Sequence, residues 1–368
     1  MTPPDAAPPA CGVVPLLADA PAWLPDWPWW GWALLAAGVL IVLEEALSRR
    51  AVVGFAMPFF EREPPFHLVP EPPEPGAEEF RVAVPGERND AGGPLTLACA
   101  LTLPAGPVRG AVVFCPETGG SRWFWRRYAA ALPGAGFAVV SFEHRSHGDS
   151  DREPGYAPGH WPAEREVRDA LAVLRWALDE PRFAGAPVGL FGVSRGGCVA
   201  LAAAAREPRA AAVAADGGFV TDRVVTEFAF KWTTLAVPKW VKPLLPRWHI
   251  RQSMWLLRKA AERKQNRKFL ALQRDLGKLR GRPVWLVGGE RDGYVTPAQT
   301  EWVARAAGAD AWIVPGAKHN GAREVAREEY DRRLREFFAA AMPPPPAAAA
   351  TAATAREPSP PRPALAAV

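Results

Sequence analysis

Residues 187–206 read PVGLFGVSRGGCVALAAAAR, with Gly-Val-Ser-Arg-Gly at positions 192–196 between an apolar run and an alanine-rich run. The first run is typical of a strand buried on both faces, and the second of a helix. Glycines at such a junction either make an ordinary tight turn or allow a strained strand-to-helix turn that exposes a nucleophile. In the second case a Cβ on either side would collide with the neighbouring chain. The stretch therefore makes Ser194 a candidate nucleophile.

The chain around this stretch alternates between strand-like and helix-like segments. Strand-like runs occupy 80–84, 95–103, 110–115, 137–142, 187–193, 210–216, 283–289 and 311–316. Helix-like segments occupy 122–132, 164–179, 195–206, 297–307 and 322–340. Two strands followed by strand–helix alternation predict an α/β domain over 80–341, with a mostly parallel twisted sheet and helices on both faces.

Two later strand ends supply partners for the serine. Asp292 follows the strand-like run 283–289, and His319 follows the run 311–316. Glu290 is a rival to Asp292. The order Ser, Asp, His suits general-base catalysis, in which His319 takes the serine proton and Asp292 orients the imidazole. We therefore predict Ser194, Asp292 and His319 as the catalytic residues.

The stretch FEHRSHGDSD at 142–151 resembles a signature of the α/β-hydrolase superfamily, and in particular of its serine aminopeptidase and monoacylglycerol-lipase-like branch. The family pattern has an acidic residue, an aromatic residue and then Arg-Gly-His-Gly-x-Ser. Here His144 replaces the aromatic residue and Ser146 replaces a glycine. The resemblance covers 80–341 and implies a serine hydrolase without metal or organic cofactor. It also implies that His144 and His147 are structural.

The resemblance further implies an oxyanion hole built from two backbone N–H groups. Arg195 follows the serine and supplies one of them. The family has His-Gly after its first parallel strand, whereas this chain has Pro116 and Glu117 there, which places Thr118 at the second donor position. A backbone donor does not depend on its side chain, so Thr118 remains the expected partner of Arg195.

Residues 220–282 interrupt the alternation, at the place where the family inserts a helical cap. They contain 16 Lys and Arg against four Asp and Glu, a balance of +12 in a chain whose net charge is +5. Four tryptophans lie among these cations. The cap has either a solvated charged helical face or a surface that attracts anionic lipid. A recognition motif for nucleic acid is lacking, so we expect no nucleic-acid partner.

The N-terminal region predicts a membrane anchor. Residues 27–43 carry no charge and begin with a cluster of tryptophans, as at a membrane interface. Arg49 and Arg50 follow this run, which predicts an extracytoplasmic N-terminus and a cytoplasmic catalytic domain. The alternative is a buried or interfacial helix. The predicted organisation is a disordered segment 1–26, a transmembrane helix 27–47, a juxtamembrane and Pro/Glu-rich linker 48–79, the domain 80–341, and a disordered Pro/Ala-rich tail 342–368.

These features together predict a membrane-tethered serine hydrolase that cleaves an acyl or lipid-like ester through an acyl-serine intermediate. One alternative is an amide or peptide hydrolase with the same three residues. Another is a catalytically inactive hydrolase fold that serves as a membrane-binding module. The four cysteines form no CxxC pair, which argues against a disulfide framework or a zinc site. The sequence predicts no oligomeric state.

Overall fold

The structure is a computed structural model that describes residues 27–61, 68–236 and 247–344. The chain divides into two compact units, Met1–Ala51 and Val52–Val368. The predicted disordered segment 1–26 and nearly all of the predicted tail 342–368 lie outside the described residues.

The second unit contains an eight-stranded sheet. Its strands are β1 (Glu78–Arg88), β2 (Pro94–Thr102), β3 (Gly110–Cys115), β4 (Phe137–Phe142), β5 (Val188–Val193), β6 (Val213–Asp216), β7 (Val284–Gly289) and β8 (Ala311–Val314). Their spatial order is β1-β2-β4-β3-β5-β6-β7-β8. Strand β2 runs antiparallel to β1 and β4, and all other pairs are parallel. The predicted mostly parallel sheet is confirmed.

Helices cover both faces of this sheet. The helices of the second unit are α2 (Pro58–Glu61), α3 (Trp125–Ala129), α4 (Glu164–Asp179), α5 (Arg195–Arg206), α6 (Thr221–Ala236), α7 (Arg247–Lys264), α8 (Pro297–Ala307), α9 (Ala322–Val325) and α10 (Arg327–Ala341). Along β3, Val113 and Cys115 belong to the core under α4 and α5, whereas Val112 and Phe114 belong to the core under α3 and α10. Burial on both faces explains why the strands are continuously apolar.

The predicted helical insertion lies between β6 and β7. In its described parts, 220–236 and 247–282, it contains α6, α7 and two short 3-10 helices, Leu272–Arg274 and Leu276–Leu279. Helix α6 begins five residues after β6 ends at Asp216. The insertion is therefore rooted at the carboxyl ends of the central parallel strands, where ligands bind in open α/β sheets.

The first unit contains most of helix α1 (Trp29–Ala56). By length and composition, Trp29–Leu47 is the one helix among the described residues that could cross a membrane. Leu40, Ile41 and Val42 near its middle are about two-thirds exposed. A continuous apolar helix with exposed aliphatic side chains has the composition expected of a membrane-embedded segment.

The structure departs from the predicted linker over 48–79. Helix α1 continues to Ala56, helix α2 follows, and β1 begins at Glu78. The Phe60 side chain is buried, with its ring 5.7 Å from that of Trp161 and 5.2 Å from that of Phe269. The proline-rich composition of the neighbouring residues shows no core pattern, but the buried Phe60 ring anchors this segment to the domain.

Candidate active site

Ser194 occupies the turn between β5 and α5. Its backbone has φ +52° and ψ −117°, a conformation that a residue with a side chain rarely adopts. A Cβ on Gly192 would overlap the Gly196 backbone, and a Cβ on Gly196 would overlap the carbonyl groups of Cys115 and Pro116. The collision expected for these glycines is therefore present. The Ser194 N–H donates to the Asp216 carbonyl at 2.7 Å, which fixes the strained turn to β6.

The three residues predicted to act together form a hydrogen-bonded chain. His319 Nε2 lies 2.9 Å from Ser194 Oγ, and His319 Nδ1 lies 2.7 Å from Asp292 Oδ2. An ionised carboxylate only accepts, so Nδ1 carries the proton and Nε2 is free to accept from the serine hydroxyl. The His319 side chain is 23% exposed and that of Asp292 is 1% exposed. A base that reaches solvent above a buried acid suits proton transfer with a substrate.

The second carboxylate oxygen of Asp292 also accepts hydrogen bonds. Oδ1 accepts the backbone N–H groups of Tyr294 at 2.7 Å and Val295 at 2.8 Å. These bonds hold the carboxylate plane in one orientation and compensate its charge without a cation. The rival Glu290 is exposed, and its carboxylate accepts the Gly316 N–H instead.

The two expected oxyanion donors lie at the ends of β3 and β5. Arg195 is the first residue of α5, where backbone N–H groups lack partners within the helix. Thr118 lies in a turn closed by the Gly120 N–H, which donates to the Glu117 carbonyl at 3.0 Å. Gly119 has φ +76°, which a type II turn requires at its third residue. Strands β3 and β5 are parallel neighbours, so both donors belong to the same edge of the sheet.

The Arg195 side chain points into the protein. Its Nη1 donates to Glu166 Oε1 at 2.9 Å and to the Gly159 carbonyl at 3.0 Å, and its Nη2 lies 2.9 Å from His147 Nε2. Burial, and after it the positive charge on Arg195, lower the pKa of His147 to about 3. His147 is thus a neutral acceptor that helps hold the first turn of α5, consistent with the structural role implied for it.

Glu117 is a site residue that the sequence did not explain. It is buried, and its Oε1 accepts from Tyr128 Oη at 2.6 Å. Its Oε2 accepts from Asn320 Nδ2 at 2.6 Å. Glu117 therefore joins the turn that contains Thr118 to the residue after His319. The one available signal was an acidic residue in place of the expected His-Gly pair.

Asp216 was also missed. It is buried at the end of β6, and its Oδ2 accepts from Tyr330 Oη at 2.9 Å. Burial raises the pKa of Asp216 to about 7, and the negative charges of Glu117 and Asp292 contribute to the same direction. Its backbone carbonyl accepts the Ser194 N–H, so the main chain of Asp216 directly supports the turn at Ser194.

Aromatic residues form a wall beside His319. The Tyr294 ring lies 5.1 Å from the His319 ring and 5.4 Å from that of Phe228 on α6. The Tyr294 hydroxyl contacts His160 Nε2, and burial lowers the pKa of His160 to about 4. Phe219 packs edge-on against Tyr294. Through Phe228, the insertion thereby contributes apolar surface to the wall beside His319. Across the described ranges, His, Cys, Asp and Glu side chains form no group of three or more that could hold a metal ion.

Comparisons with known proteins agree with this architecture. The family model for serine aminopeptidase, S33, matches residues 106–271. An esterase of Pyrococcus furiosus superimposes with a TM-score of 0.54 at 18% identity, over 76% of this chain and 97% of the esterase. An α/β hydrolase of a Penicillium species superimposes with a TM-score of 0.51 at 19% identity, over 73% of this chain and 98% of the other. Both solved structures share the fold.

Curated relatives match a shorter part of the chain. A Mycobacterium tuberculosis protein provisionally named a phosphoribosyl transferase is 39% identical over 119 residues, which cover 32% of this chain and 26% of the relative. An uncharacterised 31.7 kDa protein of Escherichia coli is 32% identical over 98 residues, which cover 27% of this chain and 33% of the relative. The chain thus spans between a quarter and a third of the length of these relatives.

Proposed function

We propose that the chain is an α/β hydrolase, and specifically a serine hydrolase that cleaves a carboxylic ester through an acyl-Ser194 intermediate. The hydrogen-bonded chain from Ser194 through His319 to Asp292 supports this proposal most directly. The strained backbone at Ser194 adds to it, because such strain concentrates at reactive positions.

The proposed reaction has two halves. Ser194 Oγ attacks the ester carbonyl carbon while His319 Nε2 takes the hydroxyl proton, and the tetrahedral oxyanion forms. The intermediate collapses, the bond to the alcohol oxygen breaks, and His319 returns the proton to that oxygen. Water then attacks the acyl-serine by the same route and releases the carboxylic acid. Asp292 keeps the proton on Nδ1 and stabilises the imidazolium in both halves.

We assign the oxyanion to the backbone N–H groups of Arg195 and Thr118. Removal of one such donor in serine hydrolases costs about 10²–10³ in kcat. Glu117 acts as a positioning residue in this proposal, since it links the turn of Thr118 to Asn320. The aromatic side chains of Tyr294, Phe219 and Phe228 favour an apolar acyl or leaving group over a charged one.

A fluorophosphonate probe tests the nucleophile directly, because it phosphonylates activated serine hydroxyls and reacts with few other side chains. We expect labelling of the full chain at Ser194, identified by peptide mapping, and none of a Ser194→Ala variant. A panel of p-nitrophenyl esters of increasing acyl length then defines the substrate class. A folded chain that neither labels nor hydrolyses any ester would support the inactive binding module instead.

An amide or peptide hydrolase is a second candidate, favoured by the serine aminopeptidase description of the matching family model. An aminoacyl p-nitroanilide panel, run beside esters of the same acyl groups, separates the two. Phosphoribosyl transfer is not proposed, because the match to the relative with that name covers 26% of it.

We further propose that α1 tethers the domain to a membrane, with the N-terminus outside and the hydrolase domain in the cytoplasm. The support is the apolar helix Trp29–Leu47 and the arginines that follow it. Alkaline carbonate should leave the full chain in the membrane pellet and should release a Leu40→Arg/Val42→Arg variant. Reporter fusions at each terminus check the orientation. Complete release of the unaltered chain by carbonate would contradict the proposal that α1 anchors it in a membrane.

A further inference from the structure

Helix α7 has one face in the core and one in solvent. Ile250, Met254, Leu257 and Ala261 are buried on its inner side. The opposite side, spaced by three or four residues, is the α7 outer face, made of Trp248, Arg251, Gln252, Trp255, Lys259 and Arg263. Of these six side chains, only Lys259 is half-buried rather than exposed. The helix is therefore amphipathic, but its outer side combines aromatic and cationic residues rather than mixed charges.

The two tryptophans are unusual on a helix that is otherwise well packed. Trp248 is 60% exposed and Trp255 is 50% exposed. They lie seven residues apart and so share one stripe of the helix. An indole combines a large apolar ring with a polar N–H, and tryptophan is for this reason enriched where protein meets the lipid headgroup region. Two such side chains on one stripe suit a flat, partly apolar surface.

The charges beside the tryptophans are positive and largely uncompensated. Arg251 and Arg263 have no ion-pair partner among the described residues. Glu262, the acid within this turn of the helix, is already paired with Arg258 and Lys259. The outer face thus offers basic groups for an anionic surface and no free carboxylate to repel it.

The end of α7 contacts helix α2, which follows the apolar helix α1 in the chain. Gln265 Nε2 donates to the Phe60 carbonyl at 3.0 Å, and Lys264 pairs with Glu61 at 2.7 Å. Phe60 follows Leu47, the last residue of the candidate span, by only 13 positions in the chain. If Trp29–Leu47 spans a bilayer, this short connection allows α7 to reach the surface of the same bilayer.

We propose that the α7 outer face docks onto an anionic membrane surface, with Trp248 and Trp255 in the headgroup region and Arg251 and Arg263 against lipid phosphates or carboxylates. The docking brings the insertion and the site beneath it to the lipid surface. It requires neither the catalytic role of Ser194 nor a particular substrate, so its test is independent of the proposed reaction.

The test uses the full chain in nanodiscs. Gln252 is replaced by Cys and labelled with the environment-sensitive dye NBD, in a Cys11→Ser background, because Cys99, Cys115 and Cys198 are buried. Nanodiscs contain phosphatidylcholine alone or with 30% phosphatidylserine, plus a nitroxide headgroup lipid as quencher. We expect at least threefold stronger quenching with phosphatidylserine, reduced as salt rises because exposed charges are screened.

Two controls separate docking from tethering. The same label at Ala340 on α10, which packs on the other face of the sheet, should show weak quenching in both lipids. With the label kept at position 252, Arg251→Gln/Arg263→Gln should remove the lipid dependence, and Trp248→Ser/Trp255→Ser should weaken quenching in phosphatidylserine at high salt. Co-elution with nanodiscs reports on the span separately.

Equal quenching at positions 252 and 340, or equal quenching in the two lipids at low salt, would overturn the proposal. Protection of the label by a single-stranded oligonucleotide, without any effect of phosphatidylserine, would assign the face to nucleic acid and overturn it as well. An unchanged Tm and an unchanged circular-dichroism spectrum of each labelled variant show that the fold is intact.

Discussion

Two histidine–aspartate pairs in this molecule consist of the same residue types but have different surroundings. His319 Nδ1 lies 2.7 Å from Asp292 Oδ2, whereas His144 Nδ1 lies 3.6 Å from Asp169 Oδ2. Asp292 meets two backbone N–H groups, but Asp169 accepts three hydrogen bonds from Arg145, two of them from its guanidinium. The Asp169 carboxylate is held by the Arg145 guanidinium, which also pairs with Glu87 and Glu153. The Asp292 carboxylate has no ion pair with a Lys or Arg side chain among the described residues, so the imidazole of His319 is its nearest potential cation.

Exposure separates the two pairs as clearly. The side chains of His144 and Asp169 are both fully buried, while His319 reaches solvent. A histidine can act as a base on a substrate only if the substrate reaches it. Partner charge and access, rather than residue type, therefore distinguish the pair proposed for catalysis from the pair within the core.

The largest expected effect comes from the two histidines. We expect His319→Ala to lower kcat on a soluble ester by roughly 10⁴–10⁶ without a large change in Tm, since the ring is partly exposed. We expect His144→Ala to lower stability by about 2–4 kcal/mol through the cavity it leaves. The folded fraction of that variant should keep kcat within about tenfold. A reversed pattern would assign the base to His144.

The two aspartates sharpen the same contrast. Asp292→Asn should lower kcat by about 10³–10⁴, because the amide favours the wrong tautomer of His319. Asp169→Asn should cost about 3–5 kcal/mol of stability, because it removes a buried partner of Arg145. Steady-state kinetics and thermal unfolding in detergent measure the two quantities on both variants. Similar stability losses with no kinetic difference would remove the distinction between the pairs.

Much of this contrast was accessible from the sequence, because it depends on local patterns. Ser194 lies between two glycines at a strand-to-helix junction, and Asp292 and His319 each follow a strand of the sheet. The parallel sheet then brings strand ends together, so short-range patterns were enough to predict the fold and to group these residues. Their catalytic role stays a prediction that the kinetic variants test.

What could not be predicted depends on contacts between distant segments. Glu117 and Asn320 are 203 residues apart, and Asp216 and Tyr330 are 114 apart. No periodicity links such residues before the chain has folded. The burial of Phe60 was hidden in the same way, because a proline-rich stretch shows no core pattern of its own.

Asp216 is a third buried carboxyl, and like Asp292 it has no ion pair with a Lys or Arg side chain among the described residues, but burial raises its pKa. Its pKa of about 7 exceeds the value of an unfolded chain, so the folded state holds the proton between about pH 4 and pH 7. Stability should therefore fall as pH rises through this window. Asp216→Asn, which cannot ionise, should be more stable than the unaltered chain at pH 8, by at most about 4 kcal/mol, and equal to it near pH 4.

Asp275→Asn is the matched control for pH. Asp275 is also buried; its burial favours the neutral form, but Arg206 and Lys278 outweigh this and lower its pKa. Its contribution is present above the unfolded pKa and is lost as pH falls through the folded value. Asp275→Asn should therefore be destabilised at neutral pH, with the difference shrinking in acid. Tm measured across pH should give opposite trends for the two variants.

Substitution of Glu117 should give the smallest effect on kcat. It tests whether the Glu117 carboxylate positions His319 and the turn that contains Thr118. Glu117→Gln replaces one acceptor oxygen by a donor, so Asn320 or Tyr128 loses its partner. An unsatisfied buried donor costs about 1–3 kcal/mol, and we expect kcat to fall about tenfold as the His319 loop and the Thr118 turn separate. Tyr128→Phe removes one donor and leaves the bridge to Asn320, so its kcat should fall less than threefold. Equal losses of Tm in both variants with unchanged kcat would make Glu117 a purely structural residue.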